Sequence, residues 1–455
     1  MQIDLFVTPG LGDNSYLVAS AGEAVVIDPQ RDAGRLLTLA ESREVRIRYV
    51  LETHVHNDYL SGALEIRSAV GAEIAAPARG GYEFAHRPMS EGDEVRAGDL
   101  TLVALETPGH TPEHLSYLLQ ESGSEEPCGL FTGGSLMVGG AGRTDLLGPA
   151  FVDELTRAQY RSLCRVAALP AGVSLYPTHG AGSFCGAGPA PMDRTSTIGQ
   201  ERAQNRALAA FDEEDFVRRQ LTGLLDYPAY YANMAPINRA GPRPLGDLTA
   251  PVALSANQTE ARMASGAWAI DGRDRLAFAR AHVPGSINVE LDAGFASYVG
   301  WVVPFDAALV LILPQPSGPA LDEARTQLFR VGYERIEGWL DGGVEAWEGS
   351  GRSVSTYPVA DVEDLCRAYR SGSPPAVLDV RQRAEWDAGH IPGSRHVFVG
   401  DLTGRTGEAP RGEEVWVICA SGHRASIAAS MLDGAGLPVR LVAGGGVSDW
   451  LRGCP

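Results

Sequence analysis

Two stretches of this chain carry residue types that do chemistry. The first is residues 51–62, LETHVHNDYLSG, which presents His54, His56 and Asp58 in alternation. A His-x-His-x-Asp run at the end of a hydrophobic strand (48–52) can aim two imidazoles and a carboxylate at one spot, and these groups are common ligands of zinc and iron. Further histidines stand in similar strand-end turns: His110 in 107–111, with His114 four residues later, and His179 in 175–180. The second stretch runs from Val415-Trp416-Val417-Ile418 into Cys419 and then Ala420-Ser421-Gly422-His423-Arg424. A strand that delivers a cysteine into a loop ahead of a helix sets the thiol among backbone N–H groups, an anion cradle that favours the thiolate. Cys419 therefore reads as a nucleophile, with Arg424 as its catalytic neighbour.

The elements that must position these residues belong to an ordinary globular chain. At 455 residues, with 44% hydrophobic and 21% charged residues, it has the length of about three domains of about 150 residues each. A net charge of -19 argues against nucleic acid or an anionic membrane as partner. There is no lysine, so Schiff-base chemistry is excluded. The longest apolar runs, such as 307–313, are too short to span a bilayer, and the first 20 residues lack the pattern of a signal peptide. Six cysteines without close pairing fit free thiols in a reducing cytoplasm. A homo-oligomer is allowed.

Along the first half, buried-looking strands (1–7, 14–19, 23–28, 72–76, 100–106) alternate with helical patterns at 34–42 and 61–70. This alternation implies a layered α/β domain. Past a helical excursion that includes 212–225, residues 238–251 hold three prolines and two glycines, which break both patterns and mark a boundary. The expected organisation is a domain over 1–240, a linker over 241–253, and two small α/β domains over 254–353 and 354–455.

The stretches THVHNDYLSG, TPGHTPEHLSY, FTGGSLMVGGAGRTDLL and YPTHGAGSFCG, in that order, resemble the motifs of the metallo-β-lactamase fold, over roughly residues 1–240. They are most similar to its glyoxalase II and persulfide dioxygenase branch. The resemblance implies an αββα sandwich. It also implies, for the dioxygenases, one ferrous iron held by the first His, the turn His and an Asp after an FTG strand, which on this chain are His54, His110 and position 134. Position 134 is Gly, and Tyr59 stands where a dinuclear site has another His. The expected ligands are accordingly His54, His56 and His110 around a single Fe(II), with zinc as the alternative. Asp58, Tyr59 and His179 are expected beside those ligands or in a reduced second site. Arg143 matches an arginine near a glutathione pocket, and Cys185 resembles a cysteine found in fusions with sulfurtransferase domains. Both are expected at the substrate. The alternatives are an Arg143–Asp145 ion pair and a space-filling Cys185.

The last 200 residues contain an internal repeat. Asp271-Gly272-Arg273 and His282-Val283-Pro284-Gly285-Ser286 recur as Asp379-Val380-Arg381 and His390-Ile391-Pro392-Gly393-Ser394, each offset by 108 residues. These signatures resemble tandem rhodanese domains. Only the second copy has the loop cysteine. The first places Pro314-Gln315-Pro316 after its strand, and proline removes N–H donors from a cradle, so that copy is expected to be catalytically silent. The two resemblances together imply a persulfide dioxygenase coupled to a rhodanese sulfurtransferase. A low-molecular-weight thiol persulfide (glutathione persulfide or similar), O2, and thiosulfate or another sulfane-sulfur donor would be its substrates. The alternatives are a zinc-dependent thioester hydrolase of glyoxalase II type, and a sulfurtransferase whose metal domain is degenerate.

Overall fold

The computed structural model of the protein describes residues 1–124, 126–188 and 191–454. They form two compact units, one of Met1–Asp226, Tyr231–Leu248 and Phe329–Gly332, the other of the remaining described residues.

The first unit is built on two six-stranded sheets. In one, Gln2–Thr8, Asp13–Ser20, Glu23–Ile27, Arg46–Leu51, Glu73–Pro77 and Arg87–Met89 lie side by side in chain order. In the other the order is Ser196–Thr197, Ser174–Pro177, Gly129–Gly133, Leu115–Glu121, Leu100–Glu106 and Glu94–Ala97. The run Ala24-Val25-Val26-Ile27 is fully buried, as a strand covered on both faces must be. Val25 and Ile27 enter a core with Tyr16, Leu102, Tyr117 and Phe131 between the sheets. Ala24 and Val26 face outward onto Leu36 and Ile66 of helices Gly34–Ser42 and Ala63–Val70. On the far side, Leu130 and Leu175 pack against Leu163 and Val166 of helix Val152–Ala167 and against Phe216. The layering is αββα, as expected. Every strand of the first sheet from Glu23–Ile27 onward runs parallel to its neighbour, so the C-terminal ends of Glu23–Ile27 and Arg46–Leu51 meet at one rim. The helix expected over 212–225 is shorter, Glu213–Gln220, with Asp212 capping it by accepting from Asp215 N at 2.8 Å.

The second unit contains two five-stranded parallel sheets with one shared strand order: first, fifth, fourth, second, third. The repeated motifs do the same work in both. Arg273 grips Asp271 and donates to Ala281 O at 2.9 Å; Arg381 grips Asp379 and donates to Gly389 O at 2.8 Å. His282 stacks on Phe278 at 3.9 Å, and His390 on Trp386 at 3.8 Å. The Asp-x-Arg and His-x-Pro-Gly-Ser signatures are thus scaffolding that fixes strand to turn.

One expectation is overturned. Cys366 and Cys454 form a disulfide, their Cα atoms 5.6 Å apart across 88 residues; the four other cysteines are free. The pairing is invisible in the spacing because the fold creates it. Strand Val439–Gly444 returns to pair with strand Val359–Asp361, which lays helix Val447–Gly453 against helix Val362–Arg370. Among the described residues, no helix is long and apolar enough to cross a membrane.

Candidate functional site

The rim of the first unit gathers histidines from both sheets. His54 follows strand Arg46–Leu51, His110 follows strand Leu100–Glu106, and His179 follows strand Ser174–Pro177. All three are fully buried. Each is held by its Nδ1. His54 Nδ1 lies 2.8 Å from Thr53 Oγ1, which itself donates to Asp28. His110 Nδ1 lies 2.7 Å from Arg143 O, and His179 Nδ1 lies 2.8 Å from Asp13 Oδ1. A carbonyl, a carboxylate and a hydroxyl already spending its proton can only accept, so each ring carries its proton on Nδ1 and turns Nε2 inward.

The inward nitrogens converge. His54, His110 and His179 form one set whose ligand atoms lie within 4.8 Å of one another. His110 Nε2 is buried without a hydrogen-bond partner, and His179 Nε2 faces His54 Nε2 at 3.4 Å. Burial pulls both His54 and His110 below the usual histidine range, His110 to about 3, so both are neutral. Burial also opposes charge on His179, but Asp58 and Asp13 outweigh it and lift the ring to about 10. Without a cation, the proton on His179 Nε2 bridges to His54; a metal entering the site takes its place. An orphaned nitrogen beside two converging imidazoles, each ring anchored through its Nδ1, fits a metal ion. Three imidazoles suit zinc or iron alike.

The sequence-expected trio of His54, His56 and His110 does not form a set of its own. His56 Nε2 turns to Glu52 Oε2 at 3.1 Å, Asp28 Oδ1 at 3.3 Å and Tyr59 Oη at 3.1 Å. Burial disfavours its charge, but Asp28 and Glu52 hold it well above the usual range, and its Nδ1 is buried without a hydrogen-bond partner. His56 also takes part in two further groupings, one with Asp28 and His54 and one with Asp58 and His179. Asp58 sits 3.2 Å from His179 Nδ1, and Tyr59 is fully buried, stacked on His56. His114 is spent: its Nδ1 meets Thr107 Oγ1 at 2.9 Å and its Nε2 accepts from Gly134 N at 3.0 Å.

Gly134 is required by His110. A Cβ at position 134 would stand 2.2 Å from His110 Cδ2, so the ring occupies the space of the carboxylate that the dioxygenase pattern puts there. Arg143 is buried, with its guanidinium bound to both oxygens of Asp145 at 2.7 Å and to the carbonyls of Phe184 and Leu225. Its carbonyl orients His110. Cys185 is fully buried, and burial, then Asp58 and Asp13, push its thiol well above the usual range.

Three residues of this site escaped the sequence reading. Asp28 has φ +48° and accepts from Thr53 N at 2.8 Å, from Thr53 Oγ1 at 2.7 Å and from Thr178 Oγ1. Asp13 holds His179, and Glu52 holds His56. The only signal was an Asp-Pro closing a buried strand.

In the second unit, strand Val415–Ile418 delivers Cys419, which is 1% exposed, and helix His423–Gly434 follows. Gly422 N donates to Cys419 Sγ at 3.1 Å, and Val447 N holds the Cys419 carbonyl at 3.0 Å. A Cβ on Gly446 would fall 2.0 Å from Ala420 O, so the loop needs glycine behind it. Arg424 is committed to Glu385, Nη2 to Oε1 at 2.9 Å.

The metallo-beta-lactamase superfamily description matches residues 8–179. Hydroxyacylglutathione hydrolase of Cereibacter sphaeroides is 34% identical over 188 residues, 39% of this chain and 67% of its own length. The chain belongs to the metallo-β-lactamase superfamily. The Rhodanese-like domain description matches 255–350 and 361–452, so this superfamily member also carries two rhodanese domains. A probable metallo-hydrolase of Burkholderia pseudomallei is 29% identical over 54% of this chain and 94% of its own. The solved metallo-beta-lactamase from Staphylococcus aureus subsp. aureus COL is 28% identical, with TM-score 0.67 over 75% of this chain and 98% of that one. That coverage is more than the sandwich alone, so the likeness extends into the rhodanese region.

Asp28→Asn should remove one partner of a buried ion pair, costing about 3–5 kcal/mol in denaturant unfolding. It should also weaken metal retention against a chelator by roughly tenfold to a hundredfold. Gly134→Asp should not create a tighter site. It should displace His110 and lower metal content, measured by elemental analysis of the folded protein.

Proposed function

We propose that this chain is a sulfur-processing enzyme, a thiol persulfide dioxygenase coupled to a rhodanese sulfurtransferase. What carries the reading is one combination: a buried single-metal set of imidazoles and a cysteine at a strand-to-helix loop, on one polypeptide. His54, His110 and His179 would hold the metal. When bound, an iron there would supply the redox chemistry that joins O2 to the sulfane sulfur. The protein's own part is to fix the three rings through Thr53, the Arg143 carbonyl and Asp13, while Asp28 and Glu52 engage His56 Nε2. Burial of every one of these groups excludes bulk water from the reacting sulfur. Cys185, next to Asp58, is the thiol at which sulfane sulfur would be held in this region. The overall reaction takes a persulfide, O2 and water to the thiol, sulfite and two protons.

In the other domain Cys419 would attack the sulfane sulfur of a donor and keep it as a cysteine persulfide, to be passed to a small thiol that becomes the dioxygenase substrate. The second reading, a zinc thioester hydrolase, is favoured by the name of the Cereibacter relative. Against it stand Tyr59 and Gly134 at positions where a second metal needs ligands.

Metal content should fall from about one ion to near none in His179→Ala and be retained in His56→Ala; loss in the second and retention in the first would restore the trio read from the sequence. Iron-loaded protein with glutathione persulfide should consume O2 and release sulfite. No uptake at full iron occupancy would sink the dioxygenase, and thioester hydrolysis by the zinc form would then carry the alternative. If neither occurs while Cys419 still transfers sulfur, the metal domain is degenerate.

A further inference from the structure

The first rhodanese copy lacks a cysteine, yet its residues stand around the loop of the second. Arg275 Nη1 donates to Ser421 O at 2.8 Å. The Tyr298 ring packs on the His423 ring at 4.7 Å, and Asp292 lies 3.6 Å from His423 Nδ1. Burial raises the Tyr298 phenol, and the charged or ionisable groups that act on it are Arg424, Cys419, Asp292 and Glu385. Through its contact with His423, Tyr298 stands beside the Cys419 loop.

The charges at this loop decide what can enter. The two arginines are both neutralised, Arg275 by Glu290 and Arg424 by Glu385. Asp292 adds a third carboxylate, half exposed, against two cations. Burial pulls His423 below its usual range, so it adds no positive charge, and its Nε2 is buried without a partner. A sulfonate-bearing dianion would bring two negative charges to a thiolate in surroundings that already hold an excess negative charge, with each arginine spoken for. A neutral or singly charged persulfide meets polar groups, the Tyr298 phenol and His423, without that repulsion.

We infer that the Cys419 loop takes sulfane sulfur from persulfides of low charge rather than from thiosulfate, and that the cysteine-free copy sets this preference through Glu290, Asp292 and Tyr298. The inference rests on the sulfurtransferase reading of Cys419. In the step, the Cys419 thiolate attacks the terminal sulfur of R–S–SH. The donor S–S bond breaks as the new S–S bond forms, its electron pair leaves with R–S⁻, and Cys419 keeps the sulfur as a hydropersulfide.

The test loads full-length protein with cysteine persulfide or with thiosulfate at equal concentration, and follows the rate at which the Cys419 peptide gains one sulfur. Cys419→Ser is the blank. The persulfide should load at least about tenfold faster. Asp292→Asn, at an exposed position that tolerates the change, should narrow the gap by raising the thiosulfate rate severalfold. Tyr298→Phe should slow persulfide loading and leave thiosulfate unchanged. Equal or faster loading by thiosulfate, or no response of the ratio to Asp292→Asn, overturns the inference alone. Loading by neither donor overturns the sulfurtransferase reading itself.

Discussion

One buried carboxylate organises the metal domain. Asp28 closes strand Glu23–Ile27 in a left-handed backbone conformation, which costs a non-glycine residue of order 1–3 kcal/mol. The distortion turns its side chain under two loops at once. One oxygen accepts from the Thr53 amide; the other takes the hydroxyls of Thr53 and Thr178, the residues just before His54 and His179. A single anion thus sets the relative placement of two imidazoles delivered by different sheets. Charge-assisted hydrogen bonds in a dry interior are strong when all partners are present and costly when one is missing. Burial pushes the carboxyl up, but His56, the Thr178 hydroxyl and the Thr53 amide outweigh it and hold Asp28 below its usual range. The same charge holds His56 Nε2 at 3.3 Å.

Much of this was legible in residue order. Buried strands ending in histidine turns follow from hydrophobic runs that stop at Gly, Pro and Thr, and the 108-residue offset announced two copies of one domain. The choice of imidazoles was not legible. His54 and His56 stand in the turn expected after the strand, and spacing within a turn does not say which way each ring faces. The two rings sit 4.2 Å apart and still hand their Nε2 atoms to different partners. Which way a ring turns depends on acceptors far along the chain: Asp13 for His179 across 166 residues, Arg143 for His110 across 33. Arg143 could be read either way, and in the structure its guanidinium pairs with Asp145, two residues away.

The tandem copies separate scaffold from chemistry. Asp271–Arg273 and Asp379–Arg381, with their stacked histidines, are superimposable tasks done twice, whereas the cysteine loop exists once. The prolines after strand Leu309–Ile312 occupy the equivalent stretch of the first copy. What remains there is structure that can be put to other use, since Asn288 Oδ1 accepts from Ser426 Oγ and the Asn288 backbone amide donates to Ser430 Oγ, across to the helix behind the Cys419 loop. The copy without a cysteine is thus hydrogen-bonded to the copy that has one.

The seat of His110 bears on how such a site can change over generations. Because the ring fills the volume beside Cα of Gly134, no carboxylate side chain can be placed there by one substitution without moving His110. The two positions are coupled, and coupled positions do not respond additively. A side chain at position 134 and the present seat of the His110 ring exclude each other, so a change at either position has to be met by a change at the other.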